Sequence, residues 1–83
     1  MDNPNLPKTI LIIDDDRDIV QTLKANLALD GYHVIEAYAG RQGVDLARNK
    51  TPDLVLLDFN LPDLDGISIC EILRKDLEFP IIM

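Results

Sequence analysis

The 83-residue chain is poor in the features that would send it outside the cell, into a membrane or onto a nucleic acid. Cys70 is the only cysteine, so no intramolecular disulfide can form. Nothing at the N-terminus has the charged, apolar and cleavable pattern of a signal sequence, and a reducing, cytoplasmic setting is expected. No apolar run approaches the length of about 20 residues that spans a bilayer. Basic residues are few: eight lysines and arginines face fifteen acids, a formal charge of -7. That balance argues against direct nucleic-acid binding by this segment and suits a site that attracts cations. The length excludes a second domain. There is no internal repeat and no low-complexity segment. With 47% hydrophobic and 28% charged residues, the composition is that of a globular domain rather than a disordered tail.

What is present is a pair of apolar runs that each end in acid. Thr9-Ile10-Leu11-Ile12-Ile13 runs into Asp14-Asp15-Asp16, and Leu54-Val55-Leu56-Leu57 runs into Asp58. If both runs are neighbouring parallel strands, three or four carboxylates meet in one crevice. Carboxylates so crowded raise one another's pKa unless a cation lies among them, and a hard cation such as magnesium is implied. One carboxylate is then free to attack a phosphorus atom.

Residues 1–7 read as a flexible leader and residues 8–83 as one structural unit. After the first run, Asp16 or Asp18 can cap a helix with apolar positions Ile19, Val20, Leu23 and Leu27, closed by Asp30-Gly31. Tyr32 to Ala37 reads as a short strand, and Ala39-Gly40 turns into a helix over about Arg41 to Asn49 with Val44 and Ala47 facing inward. Leu54 to Leu57, apolar at every position, reads as a strand covered on both faces. Asp65-Gly66 opens a third helix to about Asp76, and Phe79-Pro80 introduces a fourth strand, Ile81-Ile82-Met83. This alternation implies an α/β fold with a doubly wound parallel sheet and right-handed crossovers. Ligands of such sheets lie beyond the carboxyl ends of the strands where strand order reverses, so the acids meet if the order is 2-1-3-4.

The run Ile10 to Asp16, together with Asp53-Leu54-Val55-Leu56-Leu57-Asp58-Phe59-Asn60-Leu61-Pro62-Asp63-Leu64-Asp65-Gly66, resembles the receiver domain of two-component response regulators. The resemblance runs from about Lys8 to Met83. It implies the flavodoxin-like fold, whose strand order has a member of this family as a standard example. It also implies that Asp58 is the phosphoacceptor, charged by a histidine kinase or phosphotransfer protein. Asp15 would bind magnesium directly, Asp14 directly or through water, and Asn60 through its backbone carbonyl. Pro62 and Asp65-Gly66 would shape the following loop. Magnesium takes few protein ligands and leaves positions for water and phosphate oxygens, in agreement with this set.

The resemblance further implies that 8–83 is the N-terminal two-thirds of a receiver, ending within the fourth strand and lacking the fifth strand and last two helices. The threonine or serine and the lysine that bind the phosphoryl group in the family then have no counterpart here. Metal binding is expected to survive better than phosphorylation, and switching to be lost. An apolar edge at Ile81-Ile82-Met83 and an uncovered sheet face make self-association, as a homodimer or higher, the expected state.

Alternatives are separable on single residues. A haloacid dehalogenase-type hydrolase places an aspartate two residues after its nucleophile, where this chain has Asn60. A calcium loop starting at Asp58 requires glycine at its sixth position, which is Asp63. A phosphorylation-incompetent structural or self-associating fragment differs from an acceptor only in whether Asp58 reacts. We read the chain as a non-enzyme. Asp16 is assigned to capping, Asp63 and Asp65 to turns and caps, His33 to the surface and Cys70 to packing. Lys24, Arg41, Arg48, Arg74 and Lys75 are read as solvated helix faces.

Overall fold

The computed structural model describes residues 6–58, 61–76 and 80–82. Its elements are β1 (Thr9–Ile13), α1 (Arg17–Leu29), β2 (His33–Ala37), α2 (Gly40–Lys50), β3 (Leu54–Leu57), α3 (Gly66–Asp76) and β4 (Ile81–Ile82). Every neighbouring pair of strands is parallel, and the order is β2-β1-β3-β4. The expected fold class and strand order are therefore observed. Boundaries differ by single residues: β2 starts at His33 rather than Tyr32, and α2 runs one residue further at each end. Most of the leader (1–5), Phe79 and the Met83 end of the fourth strand lie outside the described residues. Among the described residues, no helix is long and apolar enough to cross a membrane.

Successive residues of a strand point to opposite faces, and this divides the core in two. Leu11, Ile13, Val55 and Leu57 face α2 and α3, where they pack with Ala37, Val44, Ala47, Ile69 and Leu73. Ile10 and Ile12 face α1 and pack on Val20, with Leu23, Leu27, Leu54 and Leu56 around them. The two sides are unequal. Val55 and Leu57 are buried, but Leu54 and Leu56 are only half-buried, which corrects the expectation that β3 is covered on both faces. Among the described residues α1 alone packs on that side, against β2 and the Ile10 and Ile12 side chains of β1. Ile19 is also corrected: it is 47% exposed, one residue round the helix from the fully buried Val20.

Local chemistry starts and stops the helices where expected. The Asp16 carboxylate accepts from the backbone N–H groups of Asp18 (3.0 Å) and Ile19 (3.2 Å), satisfying donors that the first turn of α1 cannot. The chain leaves α1 through Gly31 at φ 91°, a left-handed conformation natural to glycine. Helix α2 depends on glycine for a different reason. A Cβ at Gly43 would lie 2.5 Å from Cδ1 and 2.7 Å from Cγ1 of Ile13, so α2 can approach β1 closely only because that position has no side chain.

Gly43→Ala forces Ile13 or the helix to move. Overpacking of this kind costs about 1–3 kcal/mol, and chemical denaturation of the variant is expected to show a loss in that range. Unchanged stability would mean that α2 can retreat from the sheet without penalty.

Candidate functional site

The β1–β3 register builds the site. Ile13 lies between Ala37 of β2 and Leu57 of β3, so the next residue of each strand emerges at the same end of the sheet. The ladder continues one step further: the Asp14 N–H donates to the Ala37 carbonyl (3.0 Å), and the Asp58 N–H donates to the Ile13 carbonyl (2.8 Å). Asp14 and Asp58 are thus held side by side by backbone bonds, whatever their side chains prefer. Asp15 follows on the loop into α1. One carboxylate oxygen from each of Asp14, Asp15 and Asp58 lies within 4.8 Å of the other two. Asp14 and Asp58 are half-buried and Asp15 is exposed.

Ligand atoms on opposite sides of a magnesium ion lie about 4.2 Å apart, twice the usual Mg–O distance. Three carboxylate oxygens within 4.8 Å of one another are the donor type a small hard cation takes. A cavity of about 280 Å³ opens beside Asp14 and Asp58, with Leu23, Leu56 and Ile82 among its walls. The site is therefore open on the α1 side of the sheet.

The Asp14 pKa is raised above its ordinary value. Burial is the largest cause, and the nearby charges of Asp58, Asp15 and Asp16 add to it. A hydrogen bond from the Asp16 N–H to Asp14 Oδ1 (2.9 Å) opposes the rise. Crowding of acids, the cause expected from the sequence, is real here but ranks behind burial.

Of the expected site residues, Asp14, Asp15 and Asp58 converge. Asn60 lies outside the described residues. Asp65 caps α3, accepting from the Ser68 N–H (2.8 Å) and hydroxyl (3.0 Å). Pro62 is exposed in the preceding loop, His33 is exposed on β2, and Cys70 is half-buried with Arg74 Nε donating to its Sγ (3.1 Å).

Two arrangements were not legible beforehand. Asp63 accepts from the backbone N–H groups of Gly40 (2.7 Å) and Arg41 (2.9 Å), and so caps a helix 23 residues earlier in the chain. These bonds, that from Arg41 foremost, hold the Asp63 pKa below the ordinary carboxylate value. The available signal was Ala39, a residue unable to cap the helix it precedes. The second arrangement is a polar cluster between α1 and β2. Lys24 Nζ pairs with Glu36 (2.9 Å), Gln21 donates to both Glu36 and the Tyr38 hydroxyl (2.9 Å each), and the Arg17 guanidinium lies 4.0 Å from the Tyr38 ring centre. Lys24 is therefore not merely a solvated helix charge, and its hydrogen bond is the chief reason the Glu36 pKa is lowered.

A parallel α/β sheet of order 2-1-3-4 with an acidic triad at the carboxyl ends of its central strands defines a flavodoxin-like receiver architecture. A family model for the response regulator receiver domain matches residues 10–83, and the chain belongs to that family. Its backbone superposes on the receiver domain of Francisella response regulator 1452 with a TM-score of 0.85 at 32% identity, over 89% of this chain and 62% of the other. It is likewise similar to the non-phosphorylated HemR receiver domain of Leptospira biflexa (TM-score 0.80, 36% identity, 89% of this chain and 60% of the other). A third similar structure is the BeF3-activated N-terminal receiver domain of RstA from Klebsiella pneumoniae (TM-score 0.85, 31% identity, 89% and 63%). The matched region spans about three-fifths of the length of these solved chains.

The raised pKa of Asp14 has a definite sign in stability. Without metal the folded state holds the proton more tightly than the unfolded state, so stability falls as pH rises from about the ordinary value of 3.8 through the raised folded value. Asp14→Asn is therefore expected to melt at a higher temperature than the parent near pH 7 in a chelator, with the gain vanishing at pH 3. Added magnesium is expected to raise the parent's melting temperature more than the variant's. A variant less stable than the parent in chelator at pH 7 would contradict this.

Proposed function

We propose that the chain accepts a phosphoryl group on Asp58 from a histidine kinase or phosphotransfer protein, with Asp14 and Asp15 holding a magnesium ion beside it. The supporting observation is the approach of the Asp14, Asp15 and Asp58 carboxylate oxygens to within 4.8 Å of one another at the carboxyl ends of β1 and β3. In the transfer, an Asp58 oxygen bonds to phosphorus while the bond from phosphorus to the donor's imidazole nitrogen breaks. The electron pair of that bond returns to the imidazole, which takes a proton from solvent. Bound magnesium supplies charge that offsets the repulsion between donor phosphate and the acids. The Asp58 N–H, bonded to the Ile13 carbonyl, fixes the backbone of the nucleophile during attack. The Asn60 backbone carbonyl enters the ligand set on family resemblance.

That one solved relative is described as non-phosphorylated and another as BeF3-activated supports a phosphoryl-dependent role for this fold. On this reading the chain is an acceptor in a cytoplasmic phosphorelay rather than a turnover enzyme. The acidic charge suits the cation and leaves any nucleic-acid contact to other segments.

Incubation with magnesium and acetyl phosphate, followed by intact-mass spectrometry, is expected to show one added phosphoryl group on the parent and none on Asp58→Asn. A folded parent that takes up none would overturn the acceptor reading in favour of a structural fragment.

The uncovered side of the sheet favours a second property, self-association. Among the described residues β4 pairs only with β3, Ile82 is 55% exposed, and a further cavity of about 620 Å³ runs past Leu27, Leu54 and Leu56. A two-fold partner that pairs edge to edge at β4 would satisfy the open strand edge of both copies. Sedimentation equilibrium is expected to show dimer or larger species that Ile82→Lys converts to monomer. A parent that stays monomeric at high concentration rules the association out.

A further inference from the structure

Helix α2 begins without a cap of its own. Ala39 stands at the N-cap position in an extended conformation, φ -144° and ψ 155°, and has no side-chain acceptor to offer. The missing acceptor comes instead from the segment that follows Asp58, through the two Asp63 hydrogen bonds to Gly40 and Arg41. The surfaces are fitted to each other: a Cβ at Gly40 would lie 2.9 Å from Leu64 Cβ and 3.1 Å from Asp63 Oδ1. A serine or aspartate at position 39 would have offered a local acceptor to the N–H of Arg41 or Gln42. The observed arrangement does more, because it couples two parts of the chain. Leu61 and Leu64 pack against the core on the α2 and α3 side, and Asp65 caps α3. Residues 61–65 are thus fastened to α3 by Asp65 and to α2 by Asp63.

We propose that Asp63 is a positioning residue for the Asp58 site, holding residues 61–65 against α2 so that the acceptor stays in reacting geometry. The proposal rests on the phosphoryl-acceptor reading and adds to it a residue that touches neither metal nor phosphate. A displacement of about 1 Å at a reacting centre can lower a rate by as much as about 100-fold. A lost fastening in this loop is therefore visible in rate even where the fold persists.

Capping and positioning are separated by restoring one without the other. Asp63→Ala removes both, while Asp63→Ala with Ala39→Ser returns an acceptor to α2 and leaves the loop unfastened. Three quantities are compared with the parent: melting temperature, the rate of Asp58 labelling by acetyl phosphate in magnesium, and amide hydrogen exchange at Leu61, Asp63 and Leu64. The double variant is expected to regain most of the melting temperature lost in the single one, yet to label at least about tenfold more slowly than the parent and to exchange faster at the three loop amides. Recovery of the labelling rate by Ala39→Ser, or no loss of rate in Asp63→Ala, would overturn the proposal and reduce Asp63 to a helix cap. If Asp63→Ala does not fold, Asp63→Asn serves in its place, since the amide oxygen accepts one of the two bonds. A parent that takes no phosphoryl group defeats the acceptor reading itself. Loop exchange and magnesium affinity then decide the proposal, and parent-like values of both in the double variant overturn it.

Discussion

The alignment of β1 with β3 is the constraint from which the rest of the molecule follows. Ile13 opposite Leu57 places Asp14 and Asp58 one residue beyond the sheet at the same level, and the two ladder bonds that follow hold them there. A slip of one residue would reverse every side chain of β3, exposing Val55 and Leu57 and turning Leu54 and Leu56 toward α2 and α3. The core would be lost in the same step as the acid cluster. Folding and site assembly are therefore a single selection, and apolar packing supplies the energy that holds like charges together. The Asp14 pKa is raised first by burial and then by the neighbouring acids.

Much of this was readable in advance, for reasons that particular residues make clear. Thr9 to Ile13 and Leu54 to Leu57 are apolar runs too short for helices and bounded by turn formers, so they could only be buried strands, and the acids after them marked the strand ends. Asp16 and Asp65 act within three residues of their own positions, a range over which capping is local chemistry. Asp63 was read as a turn or cap residue, but its target was hidden because the bond crosses 23 residues and depends on the fold being complete. The Lys24 to Glu36 pair was missed for the same reason: helix and strand must first be placed side by side. Ile19 misled because its apolar character fits the helical period as well as Val20 does, and only the direction of the sheet distinguishes them.

Family membership and physical chemistry converge on the acids, yet they contribute different things. The family match and the fit to solved receivers place the chain among response regulator receiver domains. The described geometry shows how Asp58 is placed: its backbone N–H is held by the Ile13 carbonyl, and the acceptor role proposed above would fall to its side chain. Asp15 and Asp58 belong to different loops, and a cation between them would join the start of α1 to the segment that leads into α3.

Gly43 meets the side chain of Ile13, the residue whose carbonyl receives the Asp58 N–H and whose successor is Asp14. The absence of a side chain in the middle of a helix thus sets the depth at which that helix rests on the strand supporting the acids. In mechanical terms, α2 meets the carboxyl end of β1 through the Ile13 side chain, with nothing on the helix side of that contact but the Gly43 backbone. A displacement of the helix toward the sheet would therefore bear directly on Ile13, one residue from Asp14 and bonded through its carbonyl to Asp58.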